Sequence, residues 1–497
     1  MGLHIRTTIT GSGKTAVQIV RYERRRVVVV NHVGSVSDKK ELQRLKLKAK
    51  SWIETLSGQQ SLFSQRAEPL VVQLNQLEYH GFRYGLLYES LYEVSKQFKF
   101  HWLRNKLLLD LVIARIAEPT SKMQSIEFLR EYMGIEHSRR ELYRQIPRIL
   151  RTRKTVESKV LEIAKKEFAF NFSLVFYDVT TLYFESFQED ELRQSGFSKD
   201  NKFTQPQILL GLLVSNEGFP VGYQIFEGKK FEGHTLIPVI LRFKGKHKIE
   251  RLTIVADAAM ISSENIKALT KARLDYIVGA RIGNLPMKTI EEVNRKLSAL
   301  DGKTIRIRTS NGDLVCEFSQ KRYIKDKREM EKQITKAEKL LKTPSSIKRI
   351  KFIKSQGQDY ALNTSLIEKT KLLLGIKGYY TNLADTEVKD QKVIEHYHNL
   401  WHVEQAFRIS KSDLQIRPMF HFKQQMIEVH ILICFMALAI CKYMELKTGR
   451  SIKSCLKLFK GVTDATIVNM LSGEKIVLRS PVSDETQKVL GQLKIYS

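Results

Sequence analysis

The spacing of apolar residues changes several times along the chain, and each change marks a boundary. Residues 1–165 run mostly at helical spacing, after two short strands within residues 15–35. A lysine- and arginine-rich helix is predicted from about Asp38 to Leu56. Leu103, Leu107, Leu108, Leu111, Val112 and Ile116 then recur at the intervals of a buried helix. Ser125 to Met133 and Arg139 to Ile146 predict two more helices, stopped by Gly134 and by Pro147. The order of helix, glycine turn and basic helix has the shape of a helix-turn-helix, and equally of a plain helical hairpin.

From Phe172 the period shortens. Ser173 to Phe184 is β-branched and aromatic and predicts a strand that Asp178 interrupts. Ile208 to Val214 and Pro220 to Phe226 flank the turn Asn216-Glu217-Gly218, a hairpin signal. Helix (Thr235 to Phe243), strand (Arg251 to Asp257), helix (Asn265 to Ala272) and strand (Asp275 to Ala280) follow. Three meandering strands followed by alternating helix and strand give the order of a ribonuclease H-like α/β core. Residues 286–370 interrupt it with strand-like Thr304 to Thr309 and Leu314 to Phe318 and a charged helix from about Arg322 to Lys342. The core texture resumes at Leu372 to Tyr380. The pattern therefore predicts a mostly helical N-terminal region (1–165), a core in two parts (166–285 and 371–445) split by a β-containing insertion (286–370), and a helical C-terminal region (446–497).

The stretch from His396 to Lys411 predicts one continuous helix. At about 100° per residue, Tyr397, Leu400, Trp401, Glu404, Arg408 and Lys411 share a face, while Val403, Phe407 and Leu414 share the adjoining one. Read plainly, this is a solvated amphipathic helix with Glu404 and Arg408 as an i,i+4 pair, worth about 0.2–0.5 kcal/mol.

Charge changes that picture. Lys and Arg number 83 against 53 Asp and Glu, a formal +30, far more than solubility needs; nucleic acid is the first partner to expect. The basic residues are spread along the chain instead of concentrated beside an apolar face, which argues against a membrane surface. The longest apolar run, Ile431 to Cys441, is shorter than the roughly 18 residues of a span and predicts a buried helix. The four cysteines form no C-x-x-C, Cys434 and Cys441 fall in apolar helix, and Met1 to Thr15 has no hydrophobic leader segment, all consistent with a reducing, cytoplasmic setting. Gly11-Ser12-Gly13-Lys14-Thr15 lacks the first glycine of a P-loop, with Thr8 in its place, and reads as a loop. Arg21, Arg24, Arg25 and Arg26 form a basic cluster that is either a solvated turn or a phosphate contact. His398 and His402 have zinc-compatible spacing, but His398 and Glu404 point to different sides and no H-E-x-x-H is present, so zinc is not expected.

Asp178 inside one apolar strand, Asp257 at the end of another and Glu404 on the helix form the chemical candidate. Buried carboxylates brought together repel one another, and a divalent cation removes that cost. Hard oxygen ligands suit Mg²⁺ or Mn²⁺.

With these residues in view, the chain resembles DDE transposases of the bacterial insertion-sequence type. Tyr177-Asp178-Val179-Thr180-Thr181-Leu182, Val255-Ala256-Asp257, the insertion before the third acid, and a Y-x-x-R-x-x-x-E-x-x-x-x-x-x-K motif at Tyr397, Leu400, Glu404 and Lys411 carry the resemblance. Asp178 and Asp257 are 79 residues apart, and Asp257 and Glu404 are 147 apart, which suits the insertion-bearing group. The resemblance implies an enzyme that binds element ends, cleaves DNA strands and transfers the 3′-hydroxyl to target DNA, with Asp178, Asp257 and Glu404 as catalytic metal ligands and a homodimer in the synaptic complex. It implies DNA contacts from Tyr397 and Lys411. The motif arginine is Leu400 here, and Arg408, one turn after Glu404, could substitute. Trp401 reads either as a half-buried packing residue or as a ring stacking on an unstacked base. The alternative is a catalytically inactive DNA-end-binding protein derived from a transposase.

Overall fold

A computed structural model of the chain describes residues 3–23, 26–56, 77–185, 188–196, 204–260, 262–341, 350–356, 359–417, 419–470 and 473–495. The chain divides into two compact units. One takes Met1–Glu89, Glu131–Ile135 and Lys457–Lys488, and the other Ser90–Arg130, Glu136–Leu456 and Val489–Ser497.

The first unit opens with an antiparallel sheet of β1 (Leu3–Ile9), β2 (Thr15–Glu23) and β3 (Arg26–Val36), one strand more than the sequence pattern predicts. Helix α1 (Lys39–Leu56) packs on it, burying Val17, Ile19 and Ala49. Gly11 to Thr15 forms the β1–β2 hairpin turn: the Thr10 amide donates to the Lys14 carbonyl at 2.7 Å, and Gly13 takes φ +73°. In the predicted basic cluster Arg21 pairs with Glu23, while Arg24 and Arg25 lie outside the described residues. Strand β4 (Leu77–Arg83) completes the N-terminal share of this unit.

Helices α2 (Gly85–Gln97), α3 (Lys106–Ala117), α4 (Lys122–Phe128), α5 (Arg139–Arg151) and α6 (Arg153–Phe168) follow. Side chains cap three of them: Asn105 for α3, Ser121 for α4 in a capping box with Gln124, and Ser138 for α5. Pro147 does not end α5, as the sequence pattern predicts; it sits inside the helix, which runs four residues further to Arg151. Leu142, Ile146 and Ile149 are all buried on one face, so packing outweighs the lost amide and the ring clash. Arg139, Arg140, Arg144, Arg148 and Arg151 lie on the exposed side.

The second unit is organised by an eight-stranded sheet. Its strands are β5 (Leu174–Tyr183), β6 (Gln207–Val214), β7 (Pro220–Glu227), β8 (Thr253–Ala256), β9 (Asp275–Gly279), β10 (Thr304–Thr309), β11 (Gly312–Phe318) and β14 (Ile376–Thr381), in the order β10-β11-β14-β9-β8-β5-β6-β7. β5, β6 and β7 form the antiparallel meander, and β8 runs parallel to β5 and to β9. Helices α7 (Leu236–His247) and α8 (Ser263–Lys271) make the crossovers. This is the ribonuclease H-like order that the sequence predicts. β6 is buried at every position. A Cβ at Gly211 would lie 2.5 Å from the Tyr177 hydroxyl, so only glycine leaves room for the phenol to donate to Thr235 Oγ1 at 2.8 Å.

The insertion is not a separate body. After α9 (Met287–Leu297), the β10–β11 hairpin joins the core sheet through β14. Helix α10 (Gln320–Leu341), the hairpin β12 (Ile353–Gln356) and β13 (Asp359–Leu362), and α11 (Thr364–Leu372) surround a small core of Met330, Ala337, Phe352, Ile367 and Leu374.

Helices α12 (Asp390–His398), α13 (Trp401–Arg408) and α14 (Gln424–Thr448) come next. By length and composition α14 passes for a membrane span, yet its apolar stretch is 94 % buried inside the protein, packed on α3, α5, α6 and β7. The four cysteines are all buried and unpaired. After α15 (Ile452–Lys460), the C-terminal region holds the hairpin β15 (Asp464–Asn469) and β16 (Lys475–Arg479) before α16 (Asp484–Gln492). β15 pairs with β4 in the first unit, a strand role that the helical expectation for 446–497 did not include.

Candidate active site

Strand register brings the two aspartates together. β5 and β8 run parallel with Tyr177 opposite Ala256, so the next residues along each path are Asp178 and Asp257. Adjacent strands lie about 4.8 Å apart. The two carboxylates use the same local device: Oδ1 of each accepts the amide of the following residue at 2.7 Å, from Val179 and from Ala258. Alternation along β5 turns Asp178 away from the buried Tyr177 side chain and Thr235.

The helix carrying Glu404 is wound unevenly, and the single helix of the sequence reading is corrected to two. Between α12 and α13 the backbone tightens: Leu400 donates to the Tyr397 carbonyl, His402 to Asn399 and Val403 to Leu400, all i→i−3 bonds of 3.0 Å. Beyond Arg408 it loosens into one π turn, Ile409–Asp413, closed by Leu414 donating to Ile409. These changes rotate the predicted face. Tyr397 and Leu400 are buried, Trp401 is 50 % exposed, and Glu404 and Arg408 are exposed. Among the described residues no ion pair joins Glu404 to Arg408, so the simple i,i+4 pair is not formed.

Tyr397 reaches back to the sheet. Its hydroxyl donates to Asp257 Oδ1 at 3.1 Å, and its ring packs against Tyr379 with centroids 4.6 Å apart. Burial, then the Asp257 charge, push its phenol well above the usual range. Gly279 on β9 makes the approach possible, since a Cβ there would stand 2.5 Å from the Tyr397 hydroxyl.

Asp257, Glu404, Tyr397, Trp401, Lys377 and Arg322 line one open cleft of about 430 Å³. Lys377 holds its ammonium 4.8 Å from the centre of the Tyr397 ring. Burial and the neighbouring Arg322 lower its pKa, while Glu317, Asp257 and Glu404 oppose that shift. Asp178, Arg408 and Lys411 are not among the lining residues; Lys411 sits on the π turn with its ammonium 6.0 Å from the Phe407 ring. His398 and His402 have different neighbours: His398 Nε2 lies 3.2 Å from the Tyr379 hydroxyl, and the His402 ring lies 4.0 Å from that of Trp401.

Sequence reasoning missed Arg322 and Lys377. Arg322 belongs to the insertion, whose contribution to the cleft no local motif announces. Lys377 did carry a signal, since it is the one charge within the apolar strand β14, as Asp178 is within β5.

Residues 170–440, more than half of the chain, match the transposase DDE domain. The chain belongs to this family. No curated protein matches it. Among solved structures, the piggyBac transposase synaptic complex with hairpin DNA is similar at 9 % identity over 77 % of this chain and 80 % of that one, with a TM-score of 0.39. The Mos1 transposase paired-end complex with left transposon end is similar at 11 % identity over 47 % and 66 % of the two chains, with a TM-score of 0.16.

In this transposase domain the carboxylates of Asp178, Asp257 and Glu404 offer the hard oxygen donors that suit Mg²⁺ or Mn²⁺. Two stand side by side on adjacent strands, and two face the same cleft. Among the described residues, no three of the His, Cys, Asp and Glu side chains draw close enough to enclose an ion. Asp257 and Glu404 share the cleft, and Asp178 is not among its lining residues.

Proposed function

We propose that this transposase acts for an insertion sequence: it binds the element's ends, cleaves DNA strands there and joins the freed 3′-hydroxyl to target DNA. The observation that carries this reading is the meeting of Asp257 and Glu404 on one cleft, with Asp178 in register on the next strand. These three carboxylates would hold Mg²⁺ or Mn²⁺. Bound there, two such ions supply an activated water or 3′-hydroxyl and stabilisation of the leaving oxygen.

The protein's own residues do the rest. The Ala258 amide and the Tyr397 hydroxyl fix the Asp257 carboxylate in one orientation. The exposed Trp401 ring at the cleft edge stacks on a base freed from the duplex. Arg408 and Lys411, beyond the cleft, contact phosphates. The arginine face of α5 adds sequence-independent grip. Synapsis of two ends calls for two copies of the chain.

The test is product analysis with purified protein, Mg²⁺ or Mn²⁺, and duplexes copied from the DNA flanking its gene. Nicks followed by joined strands are expected. Nicks without joining would make it a nuclease of the same fold. Binding without nicking would make it an end-binding protein.

A further inference from the structure

We propose that helix α10 of the insertion is a phosphate rail that leads duplex DNA into the acidic cleft, with Arg322 in its first turn and Lys377 of β14 supplying the cations that position 400 lacks. This rests on the transposase reading above and assigns new residues to it.

The rail is a pattern of charge. At 100° per residue, Lys321, Lys325, Arg328, Lys332, Lys336 and Lys339 fall within about 40° of one line along α10. All six are exposed. They lie opposite Met330 and Ala337, the buried residues that anchor the helix on its small core. The acids of α10 stand at least about 60° off that line. Among the described residues none of the six has an ion-pair partner, and the one ion pair within α10 joins Arg322 to Asp326 at 3.3 Å. From Lys321 to Lys339 the stripe spans about 27 Å, roughly eight phosphates of one strand of B-DNA.

A cationic stripe on an exposed helix is ordinarily just a solvated face. Where this one begins sets it apart: Arg322, the residue after Lys321, lines the cleft beside Asp257 and Glu404. Lys377 lines it from the sheet and is held in place over the Tyr397 ring. Two cations and two carboxylates lining one cleft fit a phosphodiester whose scissile bond lies at the acids and whose oxygens meet the guanidinium and ammonium. Leu400 is 7 % exposed, so the motif position itself points no group at DNA.

Rail contacts are independent of sequence, so a blunt duplex of about 30 base pairs and arbitrary sequence is a sufficient probe, with EDTA present to prevent cleavage. Changing Lys325, Lys332, Lys336 and Lys339 together to Gln should reduce the slope of log affinity against log salt by about 3.6, at about 0.9 per contact, and weaken binding about 100-fold or more at 0.1 M salt. The circular dichroism spectrum and melting temperature should not change, because the four side chains are exposed. Lys267, Lys271, Lys288 and Lys389, also exposed, form the control set. An unchanged slope, or an equal loss in the control set, overturns the rail.

Arg322→Gln with Lys377→Gln should slow single-turnover nicking of a flanking-DNA duplex about 100-fold at saturating protein, with Arg322→Lys recovering only part of the loss because it lacks the bidentate fork. Nicking at the wild-type rate by the double variant overturns the clamp. If the wild-type protein itself never nicks, the proposed function fails, while the salt slope still decides the rail.

Discussion

Tyr397→Phe removes one oxygen atom and separates two roles for this residue. The family motif implies a contact with the DNA end, whereas in the structure the hydroxyl is engaged with Asp257 Oδ1 at 3.1 Å. A hydrogen bond to a charged acceptor is worth about 1.5–3 kcal/mol, and each 1.4 kcal/mol is about tenfold in rate. If the hydroxyl holds the carboxylate in its working orientation, single-turnover nicking should fall about 10- to 100-fold. Duplex affinity should stay within about threefold, because the hydroxyl already donates to Asp257 Oδ1. Stability should change by less than about 1 kcal/mol, since Asp257 borders an open cleft and its freed oxygen can take a water. The assay is quenched-flow or hand-quenched nicking at saturating protein, beside fluorescence anisotropy on the same duplex. Nicking at the wild-type rate would refute the positioning role. A loss of affinity as large as the loss of rate would instead assign Tyr397 to the DNA.

Two further outcomes follow, one from the same contact and one from a separate buried cluster. Gly279→Ala puts a methyl group 2.5 Å from the Tyr397 hydroxyl and 3.0 Å from Ala258 Cβ; it should slow nicking at least as much as Tyr397→Phe and cost about 1–3 kcal/mol of stability in urea unfolding, and wild-type values for both would show that the hydroxyl moves aside freely. Lys122 is buried with its ammonium 2.6 Å from His421 Nε2 and near His430 and Arg115. Burial and then the Arg115 charge bring it down to about 7, and burial chiefly brings His421 down to about 3. A lowered folded pKa means the unfolded chain binds the extra proton, so stability should rise with pH from about 3 to 6.5 through His421, and again from about 7 to 10.5 through Lys122. Lys122→Met should flatten the upper rise, worth up to about 5 kcal/mol, in melts at graded pH; an unchanged upper rise would mean that Lys122 is not its source.

The core was legible because it obeys simple rules. An apolar strand interrupted by Asp178, a second ending in Asp257 and a hairpin around Gly218 announce the meander and the parallel strands beside it, but not that β10 and β11 of the insertion join the same sheet. Glu404 was legible for the same reason, as a carboxylate at helical spacing after a buried strand. What escaped were effects that depend on distant packing. Pro147 is carried inside α5 because three buried side chains hold that helix. The turns at Leu400 and Ile409 rewind the motif helix, so Tyr397 faces the sheet instead of sharing an outward face with Arg408. The pairing of β15 with β4 joins segments almost four hundred residues apart, which local periodicity cannot anticipate. Arg322 enters the cleft from a helix whose sequence reads only as charged and solvated.

The account stands on Asp178, Asp257 and Glu404 acting as one unit. The direct measurement is single-turnover nicking of a flanking-DNA duplex in Mn²⁺ by Asp178→Asn, Asp257→Asn, Glu404→Gln and the triple variant, with duplex affinity recorded on the same preparations. Groups that act together lose nearly everything when any one is removed. Each single variant should therefore be as inactive as the triple, while binding DNA within a few-fold of wild type. Substantial nicking by any one of the three, with DNA binding intact, would contradict the shared site.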